Sequence, residues 1–185
     1  MKSFLLFICA AFLLQTCHAQ VNEAATTITS IKTTTPTAIK IGENLKGNLN
    51  TGQVIDLDWA QLSNVACFPG NKFFEFQGNH VFYALEIEPK STTVISLEPL
   101  GKKSRINLYA LRLSSGNMVI PPNVQRCISC EAKYPAYHGT PNLNLKSSTK
   151  EIEFDAISKP YTILIAVAGA KGVLEGEFEL SVRKK

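Results

Sequence analysis

From residue 39 onward apolar and polar side chains alternate with a period of two, and turn residues interrupt the alternation at short intervals. Leu45, Gly47 and Leu49 alternate with Lys46 and Asn48 before Asn50-Thr51-Gly52 makes a turn. Val81, Tyr83, Leu85 and Ile87 form one face with Glu86 and Glu88 on the other, and Pro89 closes that segment. Residues 94–97 are a short apolar run stopped by Pro99 and Gly101, and residues 106–113 end at Ser114-Ser115-Gly116-Asn117. Ile152, Phe154 and Ala156 alternate with Glu153 and Asp155, residues 161–167 are the most apolar segment, and Phe178, Leu180 and Val182 alternate with Glu177, Glu179 and Ser181. No stretch of comparable length holds an i, i+3, i+4 pattern, so helix is minor.

Strands at this spacing, wet on one face and dry on the other, bury their apolar sides by packing two antiparallel sheets together. The expected fold is an all-β, antiparallel β-sandwich of about eight strands. Residues 67–77 and 118–144 fit the alternation less well. The second segment holds Pro121, Pro122, Pro135 and Pro141 and is expected to be a long loop lying across one end of the sandwich.

The first 38 residues are of another kind. Lys2 makes a positive start, residues 4–14 are an apolar core, and small residues surround Ala19, the pattern of a secretory signal peptide cut after Ala19. A lipidated N-terminus at Cys17 is the competing arrangement, with Leu14 three residues before it, but Gln15 and Thr16 fit that signal poorly. Residues 20–38 carry seven threonines and a proline without an apolar period, and read as an extended linker or a frayed first strand. The expected organisation is a signal peptide at 1–19, a Thr-rich linker at 20–38 and one domain at 39–185, in a protein secreted, periplasmic or held at the cell surface.

Composition narrows the partners. Of 185 residues, 19 are Lys or Arg and 15 are Asp or Glu, a formal net charge of +4 spread along the chain. Short clusters such as Lys102, Lys103 and Arg105 make no extended basic patch or stripe, so a nucleic-acid interface is not expected. Past the leader no apolar run approaches a membrane span. Oligomeric state is not legible.

The residues from 38 onward carry a resemblance. The run from Ala38 through Gly42 to Leu49, the block Gly78-Asn79-His80-Val81-Phe82-Tyr83-Ala84-Leu85, the strand Ile106-Asn107-Leu108-Tyr109-Ala110-Leu111, and the segment Tyr161 to Val167 with Gly169, Gly172 and Gly176 ahead of Phe178, Leu180 and Val182 together resemble the bacterial pre-peptidase C-terminal (PPC) domain. The likeness spans most of residues 38–183 as a pattern of apolar and glycine positions. It implies a secreted jelly-roll-like sandwich, usually appended to extracellular hydrolases, that assists surface attachment, substrate binding or secretion; no hydrolase shares this chain. Some collagen-binding relatives hold calcium near the domain start. The nearest equivalents here, Glu43, Asp56 and Asp58, are spread over too many residues to supply six to eight oxygens, and read as solvated acids.

The chemical residues are few. Once Cys9 and Cys17 leave with the leader, Cys67, Cys127 and Cys130 remain, which in an oxidising compartment means one disulfide and one thiol. Cys127-Ile128-Ser129-Cys130 has CxxC spacing but no βαβ setting, so a structural bridge is expected, within the CxxC or from Cys67 to one of its members. The long-range bridge is favoured, because closing about 60 residues constrains the unfolded chain by roughly 4 kcal/mol. Zinc, or any metal or other cofactor, is not expected, since paired ligand spacing is missing. His80 and His138 read as surface or turn residues, and no GxSxG or HExxH suggests a catalytic centre. Asp56 and Asp58 alternate with Ile55 and Leu57 and therefore face solvent. Phe74, Phe76 and Trp59 are expected in the core, Trp59 at the centre of the sandwich. Tyr134, Tyr137 and His138, flanked by prolines that keep them out of the sheet, are the candidate ligand-binding residues. The expected function is a non-enzymatic binding or attachment module for an extracellular polysaccharide or protein; the alternative is a structural accessory of the cell envelope or secretion machinery with a protein ligand.

Overall fold

A computed structural model describes residues 35–62, 67–101, 105–135 and 149–185. The leader, most of the Thr-rich segment, Tyr137 and His138 lie outside the described residues. Residues Lys32–Lys185 form one compact unit. No helix among the described residues is long and apolar enough to cross a membrane.

Among the described residues ten strands make two sheets. They are β1 (Thr37–Ala38), β2 (Asn44–Asn48), β3 (Gln53–Val54), β4 (Asn79–Ile87), β5 (Ser91–Pro99), β6 (Ile106–Ser114), β7 (Ser129–Lys133), β8 (Lys150–Ala156), β9 (Tyr161–Gly169) and β10 (Glu177–Lys184). The first sheet runs β1-β4-β9-β6-β7, with β3 also paired to β4; the second runs β2-β10-β5-β8. Every pairing is antiparallel except that of β1 with β4. The chain is an antiparallel-dominated all-β sandwich, and the last two residues of the Thr-rich segment are already a strand of it.

Alternation sets which side chains meet. Val81, Tyr83, Leu85 and Ile87 of β4, Ile163, Ile165 and Val167 of β9, and Ile106, Leu108 and Ala110 of β6 point at the second sheet. There they meet Ile95 and Leu97 of β5, Ile152 and Phe154 of β8, and Phe178, Leu180 and Val182 of β10. The register keeps these sets on one side, because slipping any strand by one residue would turn its whole apolar set outward. Glu151, Glu153 and Asp155 accordingly line the wet face of the second sheet.

The two sheets differ in what covers their outer faces. The second behaves as a sheet with one wet face should. The first is dry on both: Phe82 of β4, Leu164, Ala166 and Ala168 of β9, and Tyr109, Leu111 and Leu113 of β6 form the floor of a second apolar cluster. Double-sided burial explains why these strands read as nearly continuous apolar runs. The cover comes from residues 55–60 together with the two segments that broke the alternation. Ile55, Leu57, Trp59, Ala60, Phe68 and Phe76 press down from residues 55–76, and Ile120, Val124 and Cys127 from the proline-containing segment. That segment, expected as a long loop across one end of the sandwich, instead gives Ile120, Val124 and Cys127 to the outer face of the first sheet and Ser129–Lys133 to the sheet itself as edge strand β7. Trp59 is buried as expected, but in this outer layer and not between the sheets.

Two glycines of the PPC-like pattern have a packing reason. A Cβ on Gly78 or on Gly169 would stand 2.2 Å from the carbonyl oxygen of Val173, so only glycine lets the turn at residues 170–173 lie against both strands.

Candidate functional site

The outer layer begins where β3 ends. Asp56 accepts the backbone N–H of Asp58 at 2.9 Å, a local turn that points Ile55 and Leu57 inward and leaves both aspartates in solvent. The short helix α1 (Asp58–Leu62) then sets Trp59 and Ala60 onto the sheet. After Pro69, a 3₁₀ segment (Gly70–Glu75) turns the chain so that Phe76 stacks on Phe68 at 4.3 Å, and both rings pack against Tyr109 at 5.5 Å. Ala166 sits between Phe82 and Tyr109 in register across the sheet, and its small side chain leaves a trough for these rings.

Two devices fasten the layer. Cys67 and Cys130 form a disulfide with 63 residues of separation and a Cα–Cα distance of 4.9 Å, inside the usual range. It ties the irregular segment to edge strand β7, and Cys127 stays outside the bridge as a half-buried thiol. Glu75 is fully buried, and both of its carboxylate oxygens accept from Arg105 at 3.1 Å. Asn107 donates to the Glu75 backbone carbonyl at 2.7 Å and to its carboxylate at 3.2 Å. A buried carboxylate held by three charge-assisted bonds fixes the 3₁₀ segment to β6.

His80 corrects the sequence reading. Its ring lies fully buried beneath the outer layer, stacked on Phe82 at 5.9 Å and edge-on to Tyr109 at 5.8 Å, because residues 53–77 fold back over the strand that carries it. Burial pulls its pKa down to about 4, against a smaller upward pull from the hydrogen bond to the Gly78 carbonyl. A neutral imidazole sealed in an aromatic layer does not reach a substrate. Burial likewise pushes the Tyr109 phenol upward.

Tyr134 lies where the outer layer meets the rim. It follows β7 directly, is half-buried, and packs edge-on against Phe76 at 5.6 Å. With Lys133, Pro135, Thr149, Lys150 and Glu151 it lines a recess of about 330 Å³ between the end of β7 and the start of β8. Of the three candidate ligand-binding residues, Tyr134 is thus placed at a recess, while Tyr137 and His138 lie outside the described residues. The alternation gave no sign of Lys150 as a recess residue, since it opens a strand whose pattern looks ordinary. A second recess, of about 380 Å³, is lined by Val54, Asp56, Asp58, Phe73 and Lys171, and a third, of about 640 Å³, opens between β2 and β4 near Tyr83. Glu43, the other weighed calcium ligand, accepts the backbone N–H of Lys40 at 2.8 Å. No group of three or more His, Cys, Asp or Glu side chains among the described residues is placed to hold a metal ion.

No family model matches the chain, and no curated protein matches it. The chain is similar to a pre-peptidase C-terminal domain. That solved structure is the domain of a collagenase from Bacillus anthracis, with 18% identity over 80% of this chain and 94% of that one and a TM-score of 0.37. Similarity extends to CorA, a surface-associated copper-binding protein of Methylomicrobium album BG8 (8% identity, 82% and 99% covered, TM-score 0.46), and to PliG, a periplasmic inhibitor of g-type lysozyme from Aeromonas hydrophila (11% identity, 80% and 96% covered, TM-score 0.35). At this level of identity none of them assigns a ligand to this chain.

Proposed function

We propose that the protein is an exported, non-catalytic binding module that engages an extracellular polysaccharide through the rim of the first sheet around Tyr134. The observation that carries this reading is the stapled aromatic layer. The Cys67–Cys130 bridge and the Glu75 clamp hold irregular segments rigidly against the sheet, and the edge they stiffen ends in a half-buried tyrosine beside a recess. Fixed planar rings at a partly wet edge suit a sugar face, and preorganisation spares the cost of ordering them on binding. Export is supported by the N-terminal pattern of the sequence and by the disulfide, which persists in oxidising compartments.

Titration calorimetry of the purified protein with a panel of soluble neutral and acidic polysaccharides tests the reading. Binding to at least one glycan, weakened tenfold or more by Tyr134→Ala at unchanged melting temperature, is the expected result. Silence across the panel, with an envelope protein retained on the immobilised chain, would favour the structural accessory instead. Intact mass of the exported protein before and after reduction reports the cleavage site, any lipid and the single bridge.

A further inference from the structure

Four side chains of the outer layer carry polar atoms that the protein itself does not satisfy. Trp59, His80, Asn107 and Tyr109 are at most 4% exposed, and Trp59 Nε1, His80 Nε2, Asn107 Oδ1 and Tyr109 OH have no hydrogen-bond partner among the described residues. They belong to one neighbourhood. The Tyr109 ring lies 6.0 Å from that of Trp59 and 5.8 Å from that of His80. Across the sheet His80, Ala168 and Asn107 stand in one row and Phe82, Ala166 and Tyr109 in the next, so on β9 only alanine side chains lie between those of β4 and β6. The sense of each atom follows from its other contacts. The Gly78 carbonyl, 3.1 Å from His80 Nδ1, can only accept, so the ring proton sits on Nδ1 and Nε2 is an acceptor. Asn107 Nδ2 donates to the Glu75 carbonyl and carboxylate, which fixes the amide and makes Oδ1 a second acceptor. The Trp59 indole N–H is a donor, and the Tyr109 hydroxyl is free to donate.

We propose that the aromatic layer encloses an ordered water molecule, donating to His80 Nε2 and Asn107 Oδ1 and accepting from Tyr109 OH and Trp59 Nε1. Two acceptors cannot satisfy one another, and neither donor stands within bonding reach of them. Water has two donors and two acceptors, the complement of this set, and buried waters make about three such bonds. Charged occupants fit worse: a cation would face the indole N–H, and an anion would face two lone pairs. Ala166 and Ala168 keep the space above β9 clear of larger side chains. The buried imidazole then has work that needs neither a proton switch nor a substrate, since a neutral ring fixes the water by its lone pair. This site lies beneath the surface and does not depend on the polysaccharide reading.

A high-resolution crystal structure of the exported protein tests the site directly. It should show a water oxygen within about 3.2 Å of His80 Nε2 and of at least one of Asn107 Oδ1, Tyr109 OH and Trp59 Nε1. In solution, nitrogen shifts of the imidazole should place its proton on Nδ1, and the Trp59 indole proton should show cross-relaxation with a long-resident water. Tyr109→Phe keeps the ring and removes only the hydroxyl, so it separates the two cases by sign. A hydroxyl bonded to water stabilises the layer, and its loss should lower the melting temperature by about 3 °C. A hydroxyl buried without any partner is a cost, and its removal would raise the melting temperature. A crystal structure in which these atoms bond one another directly, or surround a gap without ordered solvent, would overturn the proposal. So would a Tyr109→Phe variant that melts at or above the wild-type temperature.

Discussion

The first sheet has two apolar faces, and they are built on different terms. Between the sheets, aliphatic side chains from regular strands interlock, and nearly all of the polar chemistry stays in the backbone ladders. On the outer face, rings from turns and short helices fill a trough, and Trp59 Nε1, His80 Nε2 and Tyr109 OH are buried without a hydrogen-bond partner among the described residues. On the side facing the second sheet the corresponding atoms are Thr93 Oγ1 and Arg112 Nε. Buried polar atoms without partners cost free energy, and irregular backbone costs ordering entropy that no ladder offsets. Covalent and ionic fasteners go where that cost is highest. Among the described residues the outer layer has the disulfide and the Glu75 clamp, and the inner core has neither kind of fastener.

The largest effect should come from the inner core. Phe178 is fully buried and meets Tyr83 edge-on at 6.4 Å. Phe178→Ala should cost about 4 kcal/mol of global stability, read as a shifted urea midpoint that is the same by near-UV and far-UV dichroism. Two separated transitions would mean that the outer layer stands without the inner one. Reduction, or Cys67→Ser with Cys130→Ser, should cost at most about 4 kcal/mol by loop entropy. Its signature should be local: amide exchange accelerates in residues 53–77 while β5, β9 and β10 stay protected, and Trp59 emission shifts to the red. Uniform acceleration through both sheets would erase the distinction between the layers.

The inner layer was legible in the sequence because period two is written directly into Val81, Tyr83, Leu85 and Ile87 and into Phe178, Leu180 and Val182. Disulfide-competent cysteines were legible too, although spacing alone left Cys127 and Cys130 as alternatives for Cys67. The outer layer was harder to see. Phe68, Phe76 and Trp59 lie in segments with no period, so their burial is decided by where the chain folds back and not by local pattern. Phe82, Ala84 and Ala166 did hold a clue, because apolar residues at both parities of a strand require cover on both faces. Without that inference, His80 between Asn79 and Val81 looks like a polar strand start. Lys150 was missed for a related reason: its burial depends on β7 meeting β8 across the sandwich edge, a contact between two sheets that neither strand encodes alone.

Acid should distinguish the layers next. His80 is held neutral with a pKa of about 4, whereas in the unfolded chain it titrates near the ordinary value of 6.5. The unfolded state therefore binds the proton first as pH falls. Stability from this group is complete above pH 6.5 and is lost progressively down to about pH 4, a difference of about 3 kcal/mol. Urea midpoints at pH 7.5 and 4.5 should differ less in His80→Gln than in the wild type. An equal pH dependence in both proteins would show that the outer layer admits the imidazolium without opening.

A subtler test of the comparison lies at Gly47, which sits under the inner layer's edge. A Cβ there would stand 2.5 Å from the Phe178 ring and 2.7 Å from the Tyr83 hydroxyl. Gly47→Ala alone should therefore destabilise by about 2 kcal/mol through overpacking. In the Phe178→Ala background the ring contact is gone, and only the movable Tyr83 hydroxyl still crowds the new methyl. The two changes touch the same space, so their effects should fall short of additive by about 1 kcal/mol in a double-mutant cycle. Strict additivity would show that the edge of the inner core relaxes freely around either substitution. The ring at Phe178 would then hold the sheets together by its buried area alone, and not by the close fit against a glycine that the paired strands β2 and β10 display.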